Sequence, residues 1–102
     1  MWIDFNPQMG REQGGRRPGL IVSPRRYNAQ VGLALICPIT RQQKGYPYEV
    51  LLPEGCEIQG VVLADHLKSL DWRSRLAEPA GRTSEEVVDE VLEKLKTLLD
   101  YE

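Results

Sequence analysis

One histidine and two cysteines in 102 residues leave little material for metal or redox chemistry. Cys37 lies in an apolar run and Cys56 in a turn-like Pro53-Glu54-Gly55-Cys56, nineteen residues apart. That spacing suits neither a redox pair nor a zinc knuckle, and two cysteines make no disulfide scaffold. A reducing cytoplasm is the expected location. His66 has only Asp65 and Asp71 near it in sequence, which supply no recognisable metal-ligand spacing, so no metal and no cofactor are expected. The glycines between Gly10 and Gly15 lack the Gly-Lys-Ser or Gly-Lys-Thr ending of a phosphate-binding loop, which removes an ATPase reading. No apolar run approaches the roughly 18 residues that span a bilayer, and no basic start leads into an apolar stretch; neither membrane insertion nor secretion is expected.

The length suits a single domain over residues 1–102. An apolar fraction of 41% implies a modest core, which a partner subunit would help to bury. The net charge of −2 hides an uneven distribution. Residues 1–44 carry seven Arg or Lys against two acids, whereas residues 83–102 carry two against seven. A local excess of base can steer an anionic ligand whatever the distant tail carries.

The first 65 residues read as short strands punctuated by Gly and Pro. Strands are expected at Trp2 to Phe5, Leu20 to Ser23, Val31 to Ile39, Tyr46 to Leu52 and Ile58 to Ala64, paired antiparallel because the gaps are too short for crossover helices. The polar, glycine-rich stretch from Met9 to Arg17 reads as a mobile surface loop. Only the C-terminus has a helical period: Val87, Val88, Val91, Leu92, Leu95, Leu98 and Leu99 fall on one stripe, and Thr83 with Glu86 suggests a capping box. A sheet with one apolar face needs such a cover, so the stripe is expected in the core.

Polar residues gather at strand ends. Arg16-Arg17-Pro18 enters one strand and Thr40 with Gln42 leaves another, so neighbouring ends could set a guanidinium beside a hydroxyl. Arginine offers a fixed fork of donors to phosphate oxygens, and threonine can donate to charge developing at phosphorus. With RNA as substrate the 2'-hydroxyl is itself the nucleophile, and the protein need only orient it, take its proton and stabilise the pentacoordinate phosphorus. Taken singly, Arg17 also reads as a surface ion-pair partner, Thr40 as a strand-end hydrogen-bonder and Glu12 as solvated loop charge.

Six blocks in order carry a family resemblance: Trp2-Ile3-Asp4-Phe5-Asn6-Pro7, Gly10 through Pro18, Ser23-Pro24 with Tyr27-Asn28, Pro38-Ile39-Thr40-Arg41-Gln42, Lys44-Gly45-Tyr46-Pro47, and Gly60 through Asp65 leading into Lys68-Ser69-Leu70-Asp71-Trp72-Arg73. The chain closely resembles the MazF/PemK/Kid family of bacterial toxins. The resemblance implies a mainly β fold with a C-terminal helix, a small SH3-like barrel of the CcdB/PemK plasmid-maintenance type. It also implies a sequence-specific, metal-independent endoribonuclease that cleaves single-stranded RNA and is silenced by a cognate antitoxin. Family members usually carry several residues ahead of the first strand, whereas this sequence opens Met1-Trp2, so either Met1 is not the true start or the first strand is shortened.

Carried over by residue, the family's essential arginine before proline falls on Arg17, its threonine on Thr40 and its loop glutamate on Glu12. The resemblance implies Arg17 for phosphate stabilisation and proton transfer, Thr40 for orienting the phosphate, and Glu12 for support from the loop. Since arginine has a pKa above about 12, Glu12 is the better base and Arg17 the acid or electrostatic clamp. Arg16, Asn28, Gln42, Lys44, His66 and Lys68 are the expected RNA contacts, Arg16 and Lys44 mainly on phosphate. The family block Ala-Asp-Gln-Val-Lys-Ser here reads Ala64-Asp65-His66-Leu67-Lys68-Ser69, so His66 is expected to meet a base edge or phosphate in place of glutamine. The implied partners are single-stranded RNA, an antitoxin binding through an acidic and partly disordered segment, a second copy in a homodimer, and DNA indirectly through the antitoxin. The related CcdB toxins share the architecture but inhibit DNA gyrase by contact, so gyrase inhibition and a non-catalytic binding module stand as alternatives.

Overall fold

The computed structural model describes residues 2–5, 17–56, 58–74 and 77–99. Its elements run β1 (Trp2–Phe5), β2 (Arg17–Ile21), α1 (Arg25–Val31), β3 (Ala34–Thr40), β4 (Glu49–Leu51), β5 (Val61–Leu63), a 3-10 turn (Ala64–His66), β6 (Lys68–Leu70), β7 (Glu78–Gly81) and α2 (Glu85–Leu98). The strand pairings are antiparallel, as the short gaps required. The sheet runs β4-β5-β3-β2-β1-β7, with β6 also paired to β3. Among the described residues no ladder joins β4 to β7.

β3 is central because its residues are apolar on both faces. Cys37 and Ile39 join a cluster with Leu20, Val50 and Val62, while Ala34 and Ile36 join a smaller one with Ile3 and Leu70. One edge of β3 changes partner along its length, pairing β6 through Ile36 and β5 from Ile39. Pro38 falls in the gap between those two ladders, where a residue without an N–H removes no pairing on that edge.

The larger cluster is closed by α2, whose Val87, Val91 and Leu95 are buried against it. Burial of each such side chain contributes about 1.5–3 kcal/mol. The stripe is narrower than its sequence period implies, since Leu92, Leu98 and Leu99 remain exposed. The cap also differs: Ser84, not Thr83, accepts the Val87 N–H, at 3.4 Å, because the helix begins one residue later than a Thr83 cap requires. The Thr83 hydroxyl is buried without a hydrogen-bond partner among the described residues.

Other boundaries moved for local reasons. β2 is Arg17–Ile21 rather than Leu20 to Ser23, and the Ser23 hydroxyl instead accepts the Leu35 N–H at 3.0 Å. Val31 ends α1 and does not begin β3. That helix of seven residues has no buried side chain, hence no apolar stripe to read, although Pro24 before it and Gly32 after it (φ 81°) are its punctuation. In the expected strand from Tyr46, only Glu49–Leu51 pairs, and Tyr46-Pro47 turns, with the Glu49 N–H on the Tyr46 carbonyl at 3.2 Å. The last expected strand shortens to Val61–Leu63, since Ala64 already enters the 3-10 turn. Of the loop expected from Met9 to Arg17, residues 9–16, with Glu12 and Arg16, lie outside the described residues, and Arg17 belongs to β2.

Candidate active site and nucleic-acid interface

The β2–β3 register pairs Gly19 with Pro38, Leu20 with Cys37 and Ile21 with Ile36. Carried two residues past Gly19, it sets Arg17 against Thr40, and alternation turns both to the face that holds Ile36. On that face a groove of about 1150 Å³ is lined by Arg17 and Thr40 together with Arg41, Gln42, His66 and Lys68 over an apolar floor that includes Ile36, Pro38 and Leu70. Arg17, Arg41 and Lys68 are exposed cations, and Asp4 is the acid among the described lining residues. A groove with three cations against one carboxylate favours a polyanion, and its apolar floor suits the flat faces of bases.

The Thr40 end of β3 is held from two sides. Its Oγ1 accepts the Gln42 N–H at 3.2 Å, which leaves its own proton as a donor. Gly60 packs so closely that a Cβ there would overlap the Thr40 carbonyl oxygen and stand 2.9 Å from the carbonyl carbon, at φ +126°. No other residue fits that position without moving Thr40 or Arg41.

Across the groove, His66 sits on the 3-10 turn with its side chain 51% exposed, and its Nε2 lies 3.9 Å from Asp65 Oδ1, beyond hydrogen-bond reach. The same carboxylate oxygen accepts the Tyr46 hydroxyl at 2.8 Å. That hydrogen bond, then desolvation and the charges of Asp65 and Glu49, pushes the Tyr46 phenol up to about 12. Cys37 in β3 is buried in the larger core cluster, and desolvation, helped by Asp65, pushes its thiol up to about 12, which makes it an inert packing group.

The groove therefore gathers Arg17, Thr40, Gln42, His66 and Lys68 from three separated stretches of the chain. It does not gather Asn28 or Lys44. Asn28 lies on α1, where its amide meets the Ser23 hydroxyl at 2.5 Å and its carbonyl accepts the Trp72 indole N–H at 3.2 Å. The Lys44 N–H donates to Glu49 Oε2 at 2.9 Å, in a loop beyond the groove lining. Arg41, Asp4 and Gln59 are lining residues not expected from the sequence; Arg41 and Asp4 each stood inside one of the family-like blocks, whereas Gln59 carried no signal of its own. Among the described residues no group of three or more His, Cys, Asp or Glu gathers at metal-binding distance, and no helix is long and apolar enough to cross a membrane.

The family described as PemK-like, MazF-like toxin of type II toxin–antitoxin system matches residues 1–99. The endoribonuclease toxin MazF of Escherichia coli (strain K12) is 43% identical over 99 residues, which cover 97% of this chain and 88% of that protein. The crystal structure of MazF (Form-I) from Deinococcus radiodurans superposes with a TM-score of 0.86 at 52% identity, covering 96% of this chain and 91% of that one. The Form-II crystal structure of MazE-MazF from the same organism gives a TM-score of 0.88 at 46% identity, with 99% and 92% covered.

Proposed function

This chain belongs to the family of PemK-like, MazF-like toxins of type II toxin–antitoxin systems, and from that premise we propose that it is a sequence-specific endoribonuclease acting on single-stranded RNA. The observation that carries the reading is that Arg17 and Thr40 line one cationic groove with an apolar floor. The reaction is a transesterification. The 2'-oxygen attacks the adjacent phosphorus, the bond to the 5'-oxygen breaks, and the products are a 2',3'-cyclic phosphate and a 5'-hydroxyl. One proton passes from the 2'-hydroxyl to Glu12, and one reaches the departing 5'-oxygen from Arg17 acting as the acid or from water.

Arg17 holds the non-bridging oxygens and stabilises the charge that grows on them, the step at which a fixed donor fork is worth most. Thr40 donates a hydrogen bond from its hydroxyl to the same phosphate and orients it. Glu12, from the segment that joins β1 to β2, is the proposed base for the 2'-hydroxyl. Lys68 with Arg16 and Lys44 neutralises flanking phosphates, and Gln42 and His66 meet base edges. The nucleophile belongs to the substrate, so the reaction so described calls for no metal.

The same basic surface gives an acidic antitoxin segment a reason to compete with RNA, because either would neutralise the same side chains. The working unit is a homodimer of single-domain chains, in which a small core gains a second buried apolar surface. RNA binding should weaken with salt through ion release, and an antitoxin contact that also buries apolar area should weaken less. The test of the site is Arg17→Ala. It should lower kcat on single-stranded RNA by about 10²- to 10³-fold with an unchanged thermal midpoint, since Arg17 is exposed and outside the core. Unchanged cleavage would remove Arg17 from the mechanism.

A further inference from the structure

The two walls of the groove are tied together by side chains that do not line it. One wall begins where β3 gives way to the loop of residues 41–48, which places Arg41 and Gln42 in the groove. The other is the 3-10 turn with His66. The loop has anchors of its own: the Glu49 carboxylate accepts the N–H groups of Lys44 at 2.9 Å and Gly45 at 2.8 Å, and Lys94 Nζ donates to the Pro47 carbonyl at 2.6 Å. Two bonds then join loop to turn. The Ala64 N–H donates to the Tyr48 carbonyl at 3.0 Å, and the Tyr46 hydroxyl donates to Asp65 Oδ1 at 2.8 Å. Ala64 is itself packed in the larger core cluster, so the Tyr46–Asp65 bond is the attachment on the exposed side of the turn, beside His66.

We propose that Tyr46 and Asp65 are positioning residues for RNA readout: their hydrogen bond holds His66 at a set distance and angle from Gln42, so that both side chains engage one stretch of RNA. The proposal rests on the reading of the groove as the RNA site. Neither residue is needed by the fold in the manner of a core residue, since Asp65 is exposed and the bond between them is solvent-accessible. The phenol stays protonated up to about 12, so Tyr46 remains a donor at any pH at which RNA cleavage would be assayed.

The test uses the full chain, an RNA oligonucleotide with one cleavage site, and a panel carrying single-base changes around that site. Tyr46→Phe should raise KM by about three- to tenfold, the worth of one accessible hydrogen bond, with kcat within about twofold of the parent. Discrimination between the cleaved sequence and its single-base variants should fall by a similar factor. The thermal midpoint should move by less than about 3 °C. Asp65→Asn keeps an acceptor oxygen and should keep the parent's discrimination, whereas Asp65→Ala should behave as Tyr46→Phe does. The double variant Tyr46→Phe/Asp65→Ala should be no worse than either single one. An active parent whose Tyr46→Phe variant keeps both KM and discrimination overturns the positioning role alone. So does a variant whose midpoint and kcat fall together with discrimination intact, the mark of a merely structural bond. A parent that cleaves no RNA overturns the ribonuclease reading and this inference with it.

Discussion

Gly60→Ala puts the account of Thr40 under direct strain. The new methyl would overlap the Thr40 carbonyl oxygen, and it would stand 2.9 Å from the carbonyl carbon and 3.2 Å from Arg41 Cα. All three are backbone atoms, so no side-chain rotation relieves the overlap. The residue also holds φ +126°, which an L side chain rarely adopts. Strain of that kind costs about 1–3 kcal/mol and overpacking a further 1–3 kcal/mol, so a loss of about 2–6 kcal/mol is expected. Relief requires the Thr40–Arg41 backbone to retreat by roughly 1 Å, and a shift of that size at a positioned reacting group costs about 10²-fold in rate. Gly55→Ala is the matched control: φ is +88° there, but nothing lies within 4 Å of the added carbon. It should lose only about 1–2 kcal/mol and keep its cleavage rate. Thermal denaturation gives the first quantity, and single-turnover cleavage at a temperature where both variants are folded gives the second. If the two variants match in stability and rate, the close packing of Gly60 does not position Thr40 and the reasoning fails.

Three further outcomes follow from particular residues. Ser84→Ala should cost about 1 kcal/mol through loss of the α2 cap, whereas Thr83→Val, which removes a buried hydroxyl without a partner among the described residues, should stabilise by about 1 kcal/mol; denaturant titration checks both. Burial raises the Cys37 thiol from 9.0 to about 12, so above pH 9 the unfolded chain binds fewer protons than the folded one. Stability should therefore fall as pH rises from 9 towards 12, and Cys37→Ala should flatten that limb of a denaturation–pH profile. His66→Gln should reorder relative cleavage rates across a mixed RNA pool while leaving the end chemistry intact, and an identical order would take His66 out of base readout.

What was legible in the sequence was whatever rests on period and composition. The unbroken apolar run around Ile36 announced a strand buried on both faces, and the stripe from Val87 to Leu95 announced the covering helix. Short or amphipathically silent pieces were not legible: α1 buries no side chain, and in β6 Leu70 is the buried residue of three. The opposition of Arg17 and Thr40 was foreseeable because both sit at strand ends, but their register is a tertiary fact. Tyr46 and Asp65 are nineteen positions apart, and nothing in either segment announces that their side chains meet. Asn28 reads as a polar contact residue by type, yet in the fold it is occupied with Ser23 and Trp72.

Metal-free transesterification on RNA in the groove is tested most directly by the identity of the product ends. The purified chain, incubated with a single-stranded RNA in excess chelator, should yield fragments that mass spectrometry assigns as 2',3'-cyclic phosphates paired with 5'-hydroxyls, and the Arg17→Ala variant should yield almost none. Cleavage that disappears in chelator and returns with magnesium, or fragments bearing 3'-hydroxyls and 5'-phosphates, would contradict the account.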